Sequence, residues 1–509
     1  MQCRQYEEEK GKADLGKRVR KQKQKLLKQK SKEKGKVHME VGAGMWGRWS
    51  RVRCIPLPSA VCSSIRTHIA HPVPQQVVGA PVKEHSEFAS WLHSRGEVDT
   101  CHALTVGMSN HGRTLFAARP IEVGEQVLRV SGDLMITPNK LPTEVKELLP
   151  TGVTEWARLA LFILVEQHLG QASQWAPYIN CLPTCGALHS TVFWKKEELE
   201  LVRFTSLHRE TMQRRAVIGS EFASVLPVLQ KCPHIFGERV LHSKFKQAYA
   251  TVCSRAWGIE ALQTLALVPF VDFFNHDSNC RALLSYDEER ACAEVIADKN
   301  YARGEQVVIS YGRLPNTTLA LDFGFTISCN PYDQVEVWMA LSHRDPLRKM
   351  KLALLHAHGM PTVVHADGSD SGGNGFHLRE VKSVTGRGKG IPHALRAFAR
   401  VLCATTPQEL SEMAAEAMKY DGRLARLPAK SRNKEAQVMN LLLARLESLI
   451  NQRSLAALNI SESCHGVKQS AWKPSAIMAS DVIAGEIRVL RSAAAWLRHQ
   501  TSSNCVSVG

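Results

Sequence analysis

The sequence predicts an α+β protein whose strands and helices are segregated along the chain and which continues into a helical C-terminal block. Three observations carry this. Short segments with strand-like alternation open the region after residue 86, a helical pattern fills about 142–252, and alternating segments return between 265 and 311. Beyond Pro331 the pattern is helical, apart from glycine-rich breaks at 367–375 and 386–390. A chain of 509 residues is too long for one hydrophobic core, so more than one domain is expected.

Taken in order, residues 1–37 hold 14 Lys and Arg against 5 Asp and Glu and almost no core-forming side chain. Such a run cannot offset the entropy of ordering and reads as a disordered or solvated tail. It carries +9 of the net +17, and the modest surplus elsewhere does not require a nucleic-acid partner; only the tail itself could serve one. Several prolines in 55–81 mark a linker, so 1–84 is read as tail and linker. Phe88, Trp91 and Leu92 then recur at helical spacing, and 112–118 with 125–130 reads as a β-hairpin turning at Val123 and Gly124. Between 155 and 169, Trp156, Leu159, Phe162, Ile163 and Val165 follow a 3.6-residue period. Strands return at 291–296 and 306–311, with turns at 287–290 and 302–304. In the C-terminal block, 395–402 and 487–496 are amphipathic with basic residues on the polar face.

Composition narrows the class. Forty-four per cent hydrophobic and 22% charged residues are ordinary for a globular chain, and no run of eighteen apolar residues could cross a bilayer. The fourteen cysteines contain no CxxC pair, so they read as reduced and intracellular, and no metal site is expected. The opening is acidic and lacks an apolar h-region, which gives no targeting signal; 40–70, poor in acid, fits a transit region only if the start codon lies elsewhere. Neither glycine cluster matches a phosphate loop.

The chemistry concentrates at 268–331. The segment 268–277 sets Asn275 and His276 directly after an apolar strand, and some 35 residues later Tyr311 and Gly312 end another. Each signal alone is open to two readings: a satisfied hydrogen-bond knot and ordinary packing, or a ligand site.

Taken together the segments resemble the SET-domain methyltransferases of the Rubisco large-subunit lysine methyltransferase class, which also contains the actin histidine methyltransferase. The resemblance rests on 112–117, 175–183 with Phe193 and Trp194, 253–257, 272–276, Tyr311 with Gly312, and 324–331. It implies a SET domain over 85–335, with small β-sheets, a knot-like C-terminal part and a helical insert at about 142–252, and an all-α substrate-binding domain over 336–509. It implies an S-adenosylmethionine-dependent protein-lysine N-methyltransferase, with a catalytically inactive SET-fold scaffold as the alternative.

Carried over residue by residue, the resemblance implies that His111, Gly112 and Arg113 hold the methionine part of the cofactor. It places Arg255 near the cofactor carboxylate, has Asn275 and His276 hold the amino group and adenine, and has Asp272 support their loop. Tyr311 is implied as the catalytic tyrosine, with Trp257, Phe323 and Phe325 lining the substrate channel. Thr114 departs from a second glycine and Phe323 from a second channel tyrosine; Trp257 replaces the polar amide of the histidine-modifying relative, which favours lysine. The retained His276 and Tyr311 favour an active enzyme. A sulfonium brings its own leaving group, so transfer is chiefly positioning and electrostatics, and no metal is required. Tyr311, with a reference pKa of about 10, suits orientation better than proton abstraction. The implied partner is a folded protein such as Rubisco large subunit or aldolase, the chain acting as a monomer in the chloroplast stroma. Without plastid import it would be cytoplasmic or nuclear.

Overall fold

The computed structural model describes residues 88, 90–92, 94–95, 98–100, 102–109, 112–184, 186–360, 362–363, 371–463 and 472–506. The reading of 1–84 as tail and linker lies outside them. Contacts divide the chain into two units. Of the first, 1–75 with Gly258–Leu265, the described part is a turn in which Leu262 N–H donates to Ile259 O (3.1 Å) and Gln263 N–H to Glu260 O (3.1 Å), with Gln263 at φ +49°. The second unit is Gln76–Trp257 with Ala266–Gly509.

Among the described residues, strands β1 (Val98–Asp99), β2 (Leu104–Ser109), β3 (Gly112–Ala117) and β4 (Gln126–Ser131) precede the helical insert, whose main helices are α1 (Glu155–Leu169), α2 (Ser206–Lys231) and α3 (His242–Arg255). Strands β5 (Ala256–Ile259), β6 (Thr264–Leu267), β7 (Asn275–His276), β8 (Leu284–Asp287), β9 (Cys292–Ile296) and β10 (Gln306–Ile309) follow. One four-stranded sheet has the order β1-β4-β9-β8 and another β2-β3-β10-β7, in which β10 runs antiparallel to β3 and parallel to β7.

The expected hairpin is corrected here. Strands β3 and β4 lie in different sheets, β3 pairing with β2 from Ser109↔Gly112 to Leu104↔Ala117 and β4 pairing with β1 and β9. The chain between them does not fold back, because its backbone groups are taken by 297–301: Ile121 N–H donates to Tyr301 O (3.0 Å) and Gly124 N–H to Ala297 O (2.8 Å). Strand β2 lacks a clean two-residue alternation because Gly107 interrupts it.

Helix α1 starts where Thr154 caps it, its hydroxyl accepting from Ala157 N–H (3.3 Å). It is buried from Leu159 through Glu166, on more than the one stripe its period suggested. The C-terminal block holds β11 (Gln334–Ala340), α4 (Arg348–Ala357), β12 (Gly373–Arg379), α5 (His393–Cys403), α6 (Pro407–Lys419), α7 (Arg432–Ser463) and α8 (Pro474–Val506). The helical reading holds for most of it, with one difference from all-α: β11 and β12 form an antiparallel ribbon registered from Gln334↔Arg379 to Ala340↔Gly373. The two-residue period of buried Val335, Val337 and Met339 explains it, and Phe376 on the partner strand packs on Phe398 at 5.4 Å. Buried cations here are paired: Arg400 with Glu435 in two hydrogen bonds (2.9 and 2.6 Å), and Lys351 with Asp345 (2.7 Å) and Leu402 O (2.9 Å).

Candidate active site

The site begins with a bend. Phe270 sits at φ +76°, a costly conformation for an aromatic residue, and a 3-10 turn at Val271–Phe273 delivers the chain into β7. The parallel register Val308↔Asn275 and Ile309↔His276 then carries Tyr311, two residues past β10, onto the Asn-His pair. Tyr311 N–H donates to His276 Nδ1 (3.0 Å), its phenol donates to Phe274 O (2.5 Å), and the two rings stack at 5.1 Å. Gly312 at φ +118° makes the turn that follows, a conformation L side chains disfavour.

Protonation follows from this geometry. Nδ1 of His276 is an acceptor, and burial holds the ring's pKa below its usual value, so the imidazole is neutral with its proton on Nε2. Burial pushes the Tyr311 phenol up to about 12, opposed by the charge of Arg255 and reinforced by Asp272. It is a hydrogen-bond donor at neutral pH and not a base.

Arg255, the last residue of α3, reaches across to donate from Nη1 to Asp272 O (2.5 Å). The Asp272 carboxylate is buried; Oδ2 accepts from the Tyr178 hydroxyl (3.3 Å). Burial raises its pKa, against the opposing charges of Arg255 and Arg113. Arg113, projecting from β3, donates to Cys181 O and lies over the Phe273 ring at 4.1 Å. Gly112 opens β3 at φ +91°, and His111 lies outside the described residues. Of the seven buried side-chain atoms without a hydrogen-bond partner among the described residues, three lie here: Arg255 Nε, Asn275 Nδ2 and Asp272 Oδ1. Orphaned buried donors and acceptors are costly, and two donors beside one acceptor suit a ligand bearing both a carboxylate-like and an ammonium-like group.

An aromatic wall faces the phenol. Trp257 meets the Tyr311 ring edge-on at 5.7 Å and Phe323 lies at 5.1 Å; Phe325 lies 6.2 Å from His276 and 6.3 Å from Phe323. Phe323 closes a π-helical turn, Leu319–Phe323, whose Asp322 is paired with Arg214 at 2.6 Å and whose Leu321 O accepts from Ser190 (2.5 Å). Gly324 ends it at φ +77°, with the His189 and Ser190 backbone so close that a Cβ would lie 2.8 Å from it.

The structure thus gathers Arg113, Arg255, Asp272, Asn275, His276, Tyr311, Trp257, Phe323 and Phe325 around one locus, with Gly112 at the head of the strand bearing Arg113. Thr114 lies inside β3 and is fully buried, its hydroxyl accepting from Gln306 Nε2 (3.0 Å), so a side chain there is absorbed by the sheet. Sequence reasoning passed over Tyr178, Arg214 and Asp322; the one available signal was a tyrosine amid the apolar run 175–182.

Comparison with known proteins follows the same division. The SET domain family matches residues 112–312, and the Rubisco LSMT substrate-binding family matches 342–455. The tobacco (Nicotiana tabacum) ribulose-1,5 bisphosphate carboxylase/oxygenase large subunit N-methyltransferase is 28% identical over 291 residues, 55% of this chain and 59% of its own. The Arabidopsis thaliana [fructose-bisphosphate aldolase]-lysine N-methyltransferase is 26% identical over 320 residues, 61% of this chain and 66% of its own. The human actin-histidine N-methyltransferase is 26% identical over 60% of this chain and 50% of its own. The chain therefore spans about half to two thirds of these relatives. A solved structure of the SET domain of LSMT bound to lysine and AdoHcy covers 83% of this chain and 92% of that one, with TM-score 0.67 and 18% identity; Rubisco LSMT bound to AdoMet gives 83%, 93%, 0.65 and 18%. The fold is shared with these structures, and the chain is similar to SET domains over residues 112–312 and to the Rubisco LSMT substrate-binding family over 342–455.

Proposed function

We propose that this chain is an S-adenosylmethionine-dependent protein-lysine N-methyltransferase. The observation that carries the proposal is the set of three orphaned buried atoms, on Arg255, Asn275 and Asp272, beside a protonated Tyr311 phenol inside an aromatic wall. Arg255 and Asp272 would hold the amino-acid end of the cofactor and Asn275 and His276 its neighbouring polar groups, with Gly112 and Arg113 flanking. When bound, the cofactor supplies a methyl group activated by a sulfonium.

The chain's residues do the rest by positioning. Near pH 7.4 a lysine with a solution pKa of about 10.4 must lose a proton at a cost of about 4 kcal/mol, and a dry wall of Trp257, Phe323 and Phe325 favours the neutral amine. Tyr311 keeps its proton and aligns the nitrogen. These residues would hold the neutral amine nitrogen in line with the methyl carbon and leave a path for its proton to solvent. Aromatic rings round the locus suit the slender apolar stem of a lysine. Thr114, absorbed by Gln306, gives no support to an inactive scaffold.

In the same proposal 85–335 is the catalytic domain and 336–509 docks a folded protein. The relatives that act on Rubisco and aldolase support a stromal protein substrate, and their chloroplastic naming supports that compartment. Isothermal titration with S-adenosylmethionine should give saturable binding, and lysates with and without the enzyme should differ by lysine peptides shifted by methyl masses. Absence of binding at about millimolar cofactor would overturn the proposal.

A further inference from the structure

The phenyl ring of Phe325 belongs to the aromatic wall, and the residue after it is tied to a helix far away in sequence. The Thr326 hydroxyl donates to Asp481 Oδ2 at 2.6 Å, a short bond to a charged acceptor. Asp481 lies on α8, the last helix of the C-terminal block. The same helix face grips the chain downstream of Thr326. Arg488 donates to Asn330 O (2.5 Å) and pairs with Asp333 (3.2 Å), and Gly485 approaches Asp333 so closely that a Cβ would lie 2.1 Å from its carboxylate. Glu486, almost fully buried, accepts from the backbone and hydroxyl of Ser206 (3.1 and 2.8 Å) and pairs with Arg453 (2.8 Å). Positions 481, 485 and 488 share one face of the helix at i, i+4 and i+7.

The segment carrying Phe323 and Phe325 is held on the Phe323 side by Arg214 on Asp322 and Ser190 on Leu321 O, and downstream by internal bonds. Asn316 clasps Ile327, Nδ2 donating to Ile327 O (2.9 Å) and Oδ1 accepting from Ile327 N–H (2.8 Å); Asn330 Nδ2 donates to Leu314 O (2.9 Å). The backbone at Gly324 and Phe325 caps the turn, both N–H groups donating to Leu319 O (2.9 and 3.4 Å), and between it and the clasp at Ile327 the Thr326 side chain ties the stretch to Asp481. We infer that Asp481 is a positioning residue for methyl transfer. It belongs to the C-terminal block yet fixes the wall of the amine channel through Thr326, so that α8 governs how the amine is held while leaving the cofactor groups, which sit on β3, α3 and the 272–276 loop, untouched. This rests on the methyl-transfer proposal above.

The test uses the full chain with S-adenosylhomocysteine and Nε-methyl-L-lysine as probes in titration calorimetry. Asp481→Ala should weaken methyllysine binding to the S-adenosylhomocysteine-loaded protein about fivefold, a size typical of effects passed through a packed segment, with S-adenosylhomocysteine affinity held within about twofold. Asp481→Asn, which keeps an oxygen for the Thr326 hydroxyl, should restore most of the loss. Thr326→Val should match Asp481→Ala, and the double variant should be no worse than either, as expected when both break one bond. Unchanged methyllysine binding in Asp481→Ala or Thr326→Val, or additive losses in the double variant, would overturn the inference alone. Should Asp481→Ala fail to fold, Thr326→Val carries the same comparison. A native chain that binds neither probe overturns the methyl-transfer proposal and this inference with it.

Discussion

Replacing Tyr311 by phenylalanine deletes one oxygen from the centre of the site, and two consequences can be separated. The phenol donates to Phe274 O at 2.5 Å, so its loss leaves a carbonyl behind in a fully buried stretch, Phe274 itself being 0% exposed. An orphaned buried acceptor costs about 1–3 kcal/mol, which sets the expected loss of stability in urea. The ring stays, packed on His276 at 5.1 Å and Phe323 at 5.1 Å, so no cavity beyond one hydroxyl forms. The second consequence falls on turnover. If the hydroxyl aligns the amine, its removal resembles the loss of one preorganised polar group and should lower kcat by about 10²–10³, or roughly 2.7–4 kcal/mol. Cofactor affinity should change by less than about threefold, because the orphaned atoms on Arg255, Asn275 and Asp272 are intact. The assay is initial-rate transfer of tritiated methyl into the lysate protein that the native enzyme labels most strongly, beside calorimetric cofactor titration and urea unfolding. A variant that is destabilised as stated yet turns over within about threefold of native would refute the reasoning, showing the phenol to be a structural strut.

Arg255→Lys removes the orphaned Nε and shortens the reach to Asp272 O; S-adenosylmethionine should bind about tenfold more weakly by calorimetry, and equal affinity would take Arg255 out of the cofactor site. Gly324→Ala, at φ +77° with the His189 and Ser190 backbone 2.8 Å from the new Cβ, should cost more than about 2 kcal/mol in urea unfolding, whereas Gly312→Ala, whose nearest neighbour is Leu314 at 3.8 Å, should cost only about 1 kcal/mol for its φ; equal costs would refute the contact argument. Burial raises the Asp333 carboxyl to about 6, against the Asn316 N–H and Arg488 and with Glu486 and Asp481 adding to the rise. The folded state therefore holds an extra proton between about pH 4 and 6, and stability should fall as pH rises through that window by up to about 3 kcal/mol, a slope that Asp333→Asn should flatten and that urea midpoints across the window would reveal.

How much of this was legible in the sequence depended on the range of the interaction. Helix α1 was readable because its burial follows a local period and its Thr154 cap is a local signal. The pairing of β3 was not, because the choice between a hairpin with β4 and a ladder with β2 and β10 is made by backbone partners some 180 residues away at 297–301. The ribbon β11/β12 was missed because thirty-odd residues separate its strands and its second strand opens on glycine. At the site, Asn275, His276 and Tyr311 could be singled out as residue types, but their meeting is a product of the parallel β7/β10 register, which no local spacing encodes. Tyr178 and the Arg214–Asp322 pair stayed hidden for the same reason, being polar groups that acquire meaning only from a distant buried partner.

Burial gives the site its character. It keeps the Tyr311 phenol protonated, and it weakens His276 as a base while the Tyr311 N–H already occupies Nδ1, so neither is suited to take the proton that a lysine must lose. What remains for these residues is geometry, and geometry is only as good as the elements that fix it. Tyr311 is fixed by the Phe274 carbonyl on its phenol and by His276 on its backbone N–H, whereas the residue after Phe325 is tied through its hydroxyl to the C-terminal helix. A perturbation of α8 should therefore reach the amine before it reaches the cofactor, and measuring the two affinities side by side in variants of that helix distinguishes a C-terminal block that only docks protein from one that also shapes the channel.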